Sequence, residues 1–152
     1  MGCDIRMVLE RKNDDGKYVG LHNFGSRRVV GYAEAKKICD DARVPFPLWG
    51  SWEVRDRNYV LFGALAGVRC DGPEAKGIPD DASDLAQMLI DQDGSDGHSH
   101  SYLNLDEALP IFGAHLRGKQ MLDKNRHQIC DDLFDVEYDK RHKYRLVFWF
   151  DN

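Results

Sequence analysis

The sequence predicts an α+β domain: a small antiparallel sheet with the N- and C-terminal strands adjacent and helices packed on it. Three observations carry this. Residues 3–10 alternate apolar and polar side chains, and residues 143–150 (Lys-Tyr-Arg-Leu-Val-Phe-Trp-Phe) are dense in aromatic and β-branched residues. Between these ends lie segments with helical spacing of apolar residues. A chain of 152 residues fits one domain, 1–152, and no repeat or linker divides it. The simplest closure sets the last strand beside the first, with helices on one face.

In the first strand Cys3, Ile5, Met7 and Leu9 face one way. Asp4, Arg6 and Glu10 face the other, with Val8 among them. Asn13-Asp14-Asp15-Gly16 is a turn in which Gly16 supplies the positive φ, so 17–22 returns as the second strand of a hairpin. Residues 25–31, with Arg27 and Arg28, read as a loop. Ala35, Ile38, Cys39 and Ala42 mark an amphipathic helix over 33–42, ended by Pro45 and Pro47. Residues 48–52 form an aromatic loop. Residues 59–66 form a short apolar helix with Asn58 as N-cap and Gly67 as its stop. A Pro/Gly loop covers 72–81. Ser83 caps a helix reaching about Ile90, with Leu85, Met88 and Leu89 on its buried face. A Gly/Asp/His/Ser loop follows. Asn104 and Glu107 then resemble a capping box for a helix that Pro110 limits or kinks. Residues 119–134 form the longest helix, with Leu122, Ile129 and Leu133 in register. The last strand is apolar on both faces, which marks a central strand.

Composition narrows the function. Apolar residues at 42% and charged residues at 31% describe a soluble globular chain, and no apolar run approaches the ~20 residues of a spanning helix. The start, Met1-Gly2-Cys3-Asp4, lacks the basic and apolar regions of a secretory signal, and Arg6 stands where myristoylation wants Ser or Thr. Cys3, Cys39, Cys70 and Cys130 form no Cys-x-x-Cys pair, so they read as reduced thiols in a cytoplasmic protein. A net charge of −5 argues against direct nucleic-acid binding, which needs clustered cations. Acidic patches at 80–81, 91–96 and 131–139 read as solvated helix ends and loops or as a surface for a partner.

Chemistry concentrates in Asp96-Gly97-His98-Ser99-His100-Ser101. In an extended segment His98 and His100 point to the same side, ~6.5–7 Å apart along the backbone, a spacing compatible with one metal ion or one anion. Adding Asp4, with Asp96 or Cys3, gives a mixed imidazole and carboxylate set suited to Zn, Mn or Fe. The alternative is a polar loop whose histidines cap backbone groups. A two-histidine phosphoesterase needs a second His-x-Ser element that His22, His115, His127 and His142 do not supply. Cys3 as nucleophile needs a nearby base; its strand phase favours a buried structural thiol. Arg27-Arg28 and Arg55-Asp56-Arg57 read as surface charges rather than a phosphate site.

Five blocks read together carry a resemblance: Met1-Gly2-Cys3-Asp4-Ile5, Arg57 to Phe62, Gly77 to Asp81, Ser95 to Leu103, and Val147 to Asn152. The set resembles a family of small uncharacterised bacteriophage and prophage proteins that begin Met-Gly-Cys-Asp-Ile-His. Arg6 replaces the family His; if that His were a third metal ligand it is lost here, and either the site takes an anion, or Asp4 with His98 and His100 suffices, or no metal is involved. The resemblance implies a phage-encoded, non-enzymatic accessory protein in the host cytoplasm. It would bind a host protein or protein–nucleic acid complex, inhibition of a defence system being one version. The alternative is a metal-dependent hydrolase or small-ligand-binding domain centred on His98 and His100. The ligand-binding set is then Asp4, Arg6, Asp96, His98, Ser99 and His100, with His98, His100 and Asp4 as metal ligands, and Asp4, Arg6, His98 and His100 lining one concavity.

Overall fold

The computed structural model describes residues 2–24, 57–115 and 136–151, with Ala33, Lys36, Lys37, Asp40 and Asp41 between them. Its strands are β1 (Asp4–Lys12), β2 (Tyr18–Phe24), β3 (Gly97–Asn104) and β4 (Tyr144–Asp151). Its helices are α1 (Tyr59–Ala66), α2 (Asp84–Asp93) and α3 (Leu105–His115), with short 3₁₀ turns at Gly94–Asp96 and Tyr138–Lys143. The sheet runs β2-β1-β4-β3 and is antiparallel throughout, so the first and last strands are its central pair. The α+β reading and the adjacency of the two ends are therefore borne out. The loops predicted at 25–31 and 48–52 and the helix at 119–134 lie outside the described residues. So does most of the 33–42 helix, although its described positions are helical and Lys36 pairs with Asp40 at 2.7 Å.

Local chemistry explains the elements. Asn13 Oδ1 accepts from the N–H groups of Asp15 and Lys17, and Gly16 takes φ 79°, which closes the hairpin. Asn58 Oδ1 accepts from Leu61 N–H at 3.0 Å, and Gly67, at φ 66°, donates to Gly63 O. Ser83 Oγ accepts from Ala86 N–H, and Glu107 Oε1 reaches back to Asn104 N–H, one half of a capping box. Helix α3 runs past Pro110 to His115. Pro110 and Asp106 stand on the exposed side, so the carbonyl that loses its donor is one that water can satisfy.

Period two sorts β1 as expected. Ile5, Met7 and Leu9 join Leu146, Phe148 and Phe150 in one layer, under Leu61, Phe62 and Leu65 of α1 and Leu105, Leu109 and Phe112 of α3. Each fully buried large side chain there contributes roughly 1.5–3 kcal/mol relative to exposure. Helix α1 lies so close to the turn after it that a Cβ on Gly63 would come 2.5 Å from Cys70 Cβ.

The opposite face is also covered, which corrects the expectation of helices on one face only. Helix α2 sets Ala86, Leu89 and Ile90 against Val8, Val147 and Trp149. The stripe differs from the predicted one: Leu85 and Met88 are only partly buried, while Ala86 and Ile90 are buried. Gly20 of β2 leaves the space that Leu85 approaches, since a Cβ there would lie 2.6 Å from Leu85 Cβ. On this face Arg145 and Glu10 are buried as an ion pair, and the guanidinium lies 3.6 Å from the centre of the Tyr18 ring. The predicted Gly/Asp/His/Ser loop is instead the 3₁₀ turn and β3. This edge strand has no apolar alternation of its own, and it is held by pairing with β4.

Candidate functional site

At the end of the sheet where β1 starts and β4 stops, Asp4 and Gly97 both pair with Asp151. The N-terminal block and the His-Ser block thus meet across β4. Between His98 and Ser101 the register shifts: His98 faces Phe150 and Ser101 faces Phe148, so Ser99 and His100 share the single partner Trp149. This is a β-bulge. Ser99 holds the left-handed conformation, φ 52°, that such bulges usually give to glycine.

The bulge sends the two imidazoles to opposite faces, unlike the same-side arrangement of a regular extended segment. His98 enters the layer under α1 and α3: its ring lies 6.2 Å from Phe150, its Nε2 is 4.0 Å from Cys3 Sγ, and its Nδ1 is 3.0 Å from Ser99 Oγ. His100 lies on the α2 side, stacked on Trp149 at 6.2 Å and 18°, with Nε2 buried and without a hydrogen-bond partner among the described residues. Burial, and then the neighbouring His98, push the His100 pKa below the usual imidazole range, while Asp93 acts the other way.

Arg6 is on the α2 side as predicted, with its guanidinium taken up by two carboxylates. Its Nε lies 3.0 Å from Asp93 Oδ2, and Nε and Nη2 both donate to Asp151 Oδ2. Trp149 Nε1 donates to the same Asp93 oxygen at 2.6 Å. Asp4, on the same face, is exposed and accepts from Arg57 Nε at 3.0 Å. Asp96 is exposed in the 3₁₀ turn. The expected concavity is therefore split: Asp4, Arg6 and His100 share one side of the sheet, and His98 with Ser99 Oγ serves the other. Among the described residues no three His, Cys, Asp or Glu side chains gather as metal ligands.

Sequence reasoning missed Asp93, Asp151 and Arg69. Asp93 was detectable, because it extends the 86, 89, 90 stripe of α2 by one helical step and so aims a carboxylate at the sheet. Asp151 continues the Arg145, Val147, Trp149 phase. Arg69, at φ 63°, hydrogen-bonds the Cys3 sulfur. Burial raises the Cys3 thiol pKa above its usual range; Arg69 acts the other way, and the Asp151 and Asp4 carboxylates add to the rise. Arg69 and Ser99 are the non-glycine residues at positive φ among the described residues. Each such conformation costs of order 1–3 kcal/mol and clusters at functional sites.

No protein-family model, curated protein or solved structure matches this chain. No helix among the described residues is long and apolar enough to cross a membrane.

Proposed function

We propose that this chain is a phage-encoded accessory protein that acts in the bacterial host's cytoplasm by binding a host component, a defence system being one class of target. The reading rests on the resemblance of its sequence blocks and on where its charges lie. Arg6 is held by Asp93 and Asp151 inside the molecule, whereas the outer side of α2 presents Asp84 and Asp91 to solvent. Neither of these two is in an ion pair among the described residues, and exposed Asp80, Asp81 and Asp96 flank them along the chain. That acidic side is the observation that carries the proposal. In a protein of net charge −5 it suits a basic surface on a host protein or protein–nucleic acid complex, with long-range steering of the encounter.

The test is retention of host complexes on immobilised protein, wild type against the Asp84→Lys, Asp91→Lys double variant, over a salt gradient. Both substitutions are on the exposed side of α2 and leave the buried stripe intact. A partner retained by wild type, eluted by salt and absent from the variant supports the proposal. The same proteins retained by both, with no salt dependence, refutes it.

A further inference from the structure

The thiol of Cys3 and the imidazole of His98 meet where the two most distinctive sequence blocks come together. Cys3 has no exposed surface, and its Sγ is 4.0 Å from His98 Nε2. His98 Nδ1 lies 3.0 Å from Ser99 Oγ, and Arg69 hydrogen-bonds the sulfur. A nucleophile within reach of a base, with that base oriented by a third group, is the general signature of an activated thiol. The Arg69 cation acts on the sulfur as well, but burial and the Asp151 and Asp4 carboxylates keep the thiol pKa raised, so the proton has to pass to His98 as the sulfur attacks. The backbone is held in unfavourable left-handed geometry at both auxiliary residues, Arg69 and Ser99. A merely structural thiol in an apolar layer requires none of these groups.

We propose that Cys3, His98, Ser99 and Arg69 form a nucleophilic thiol site for a small uncharged electrophile of the peroxide class. This is independent of the binding function above, since none of the four is on the acidic side of α2. Ser99 Oγ accepts from Nδ1–H, which leaves Nε2 free to take the Sγ proton. The sulfur, beside the Arg69 guanidinium, attacks one peroxide oxygen as it gives up that proton. An S–O bond forms and the O–O bond breaks. Sulfur is oxidised to the sulfenic acid and the peroxide is reduced; the leaving hydroxide takes the proton back from Nε2 and departs as water. The absence of exposed surface at Cys3 selects against bulky or charged reagents, because either would have to be desolvated within the layer that holds Phe150.

The experiment treats the full-length protein at neutral pH, below its melting transition, with hydrogen peroxide. Aliquots are quenched with catalase and unfolded in urea containing dimedone, so that the trap reaches sulfenic acid at either cysteine, and the adducts are quantified by peptide mass spectrometry. Cys70 is exposed and serves as the internal reference thiol. The expected result is labelling of Cys3 at least about tenfold faster than Cys70, the lower end of what a positioned general base provides being larger still. His98→Phe keeps a ring against Phe150 and removes the base; it should slow Cys3 at least about tenfold and leave Cys70 unchanged. Arg69→Gln alters an exposed side chain and should slow Cys3 severalfold. Cys3 labelling no faster than Cys70, or unchanged within about twofold in Arg69→Gln and in any folded His98→Phe protein, overturns the proposal.

Discussion

Glu10 on β1 has no exposed surface, and its two carboxylate oxygens take three donors. Oε1 accepts from Arg145 Nε at 2.8 Å and Nη2 at 2.6 Å, and Oε2 accepts from Ser83 N–H at 2.6 Å. Glu10→Gln keeps the shape but replaces one oxygen with an NH₂ group. That group must face either the Arg145 guanidinium or the Ser83 N–H, so at least one buried donor loses its acceptor. Breaking a buried pair by removing one charge costs about 3–5 kcal/mol. Arg145 keeps Asp81 at 2.7 Å, but that side chain is 60% exposed and solvent screens it. The loss should therefore fall near the lower end, about 3 kcal/mol out of a total of roughly 5–15 kcal/mol. In a domain of this size that corresponds to a fall in Tm of about 6–12 °C. Urea unfolding followed by tryptophan fluorescence measures it, with Asp81→Asn as the exposed counterpart, expected to cost less than about 1 kcal/mol. Glu10→Met with Arg145→Met should recover much of the single-variant loss, because a well-packed apolar replacement avoids the desolvation cost. A Glu10→Gln penalty under about 1 kcal/mol, or an Asp81→Asn penalty as large as that of Glu10→Gln, would refute this account of the buried pair.

Further expectations concern pH and close packing. The Arg145 hydrogen bond holds the Asp81 carboxyl below the usual carboxylate range. Its contribution is thus fully present above the unfolded value of ~3.9 and lost as pH falls below it, and Asp81→Asn should flatten that acid limb. His100 has a lowered pKa, so between its folded value and the unfolded value of ~6.5 the unfolded chain binds more protons. Stability should be full above ~6.5 and decline as pH drops below it, and His100→Phe, which keeps a ring on Trp149, should remove that decline in urea titrations. Gly63→Ala places a methyl 2.5 Å from Cys70 Cβ, and denaturant unfolding should show a loss of about 1–3 kcal/mol.

The parts of the fold governed by short-range chemistry were readable from the residues. Asn13 and Gly16 define the hairpin turn, Asn58 and Gly67 bound α1, and Ser83 starts α2, the polar residues through a side-chain hydrogen bond and the glycines through a positive φ that the lack of a Cβ permits. The alternation of β1 and the apolar density of β4 likewise reported their central places. What escaped depends on distant partners. The Gly97-to-Asn104 strand is a strand because β4 pairs with it. The engagement of Arg6 depends on Asp93 and Asp151, which are far away in the chain. The period-two rule placed the two imidazoles together because it has no means of counting a residue that the partner strand does not match.

The surplus residue at Ser99 and His100 works as a frame shift within one strand. Ahead of it, an even-numbered position, His98, joins the Phe150 layer; beyond it, Ser101 and Leu103 take odd-numbered places beside Phe148 and Leu146. A chain identical here but shorter by one residue would restore strict alternation. Were Ser99 the residue removed, the two imidazoles would be adjacent in the chain and still on opposite faces; were a residue ahead of His98 removed, His98 would move to the Trp149 side and the thiol at the start of β1 would lose its base. Any alignment of this strand with another sequence therefore has to settle the length of the Gly97–Ser101 segment before it compares the histidines themselves. One inserted peptide unit decides whether the same residue types meet each other or meet different neighbours.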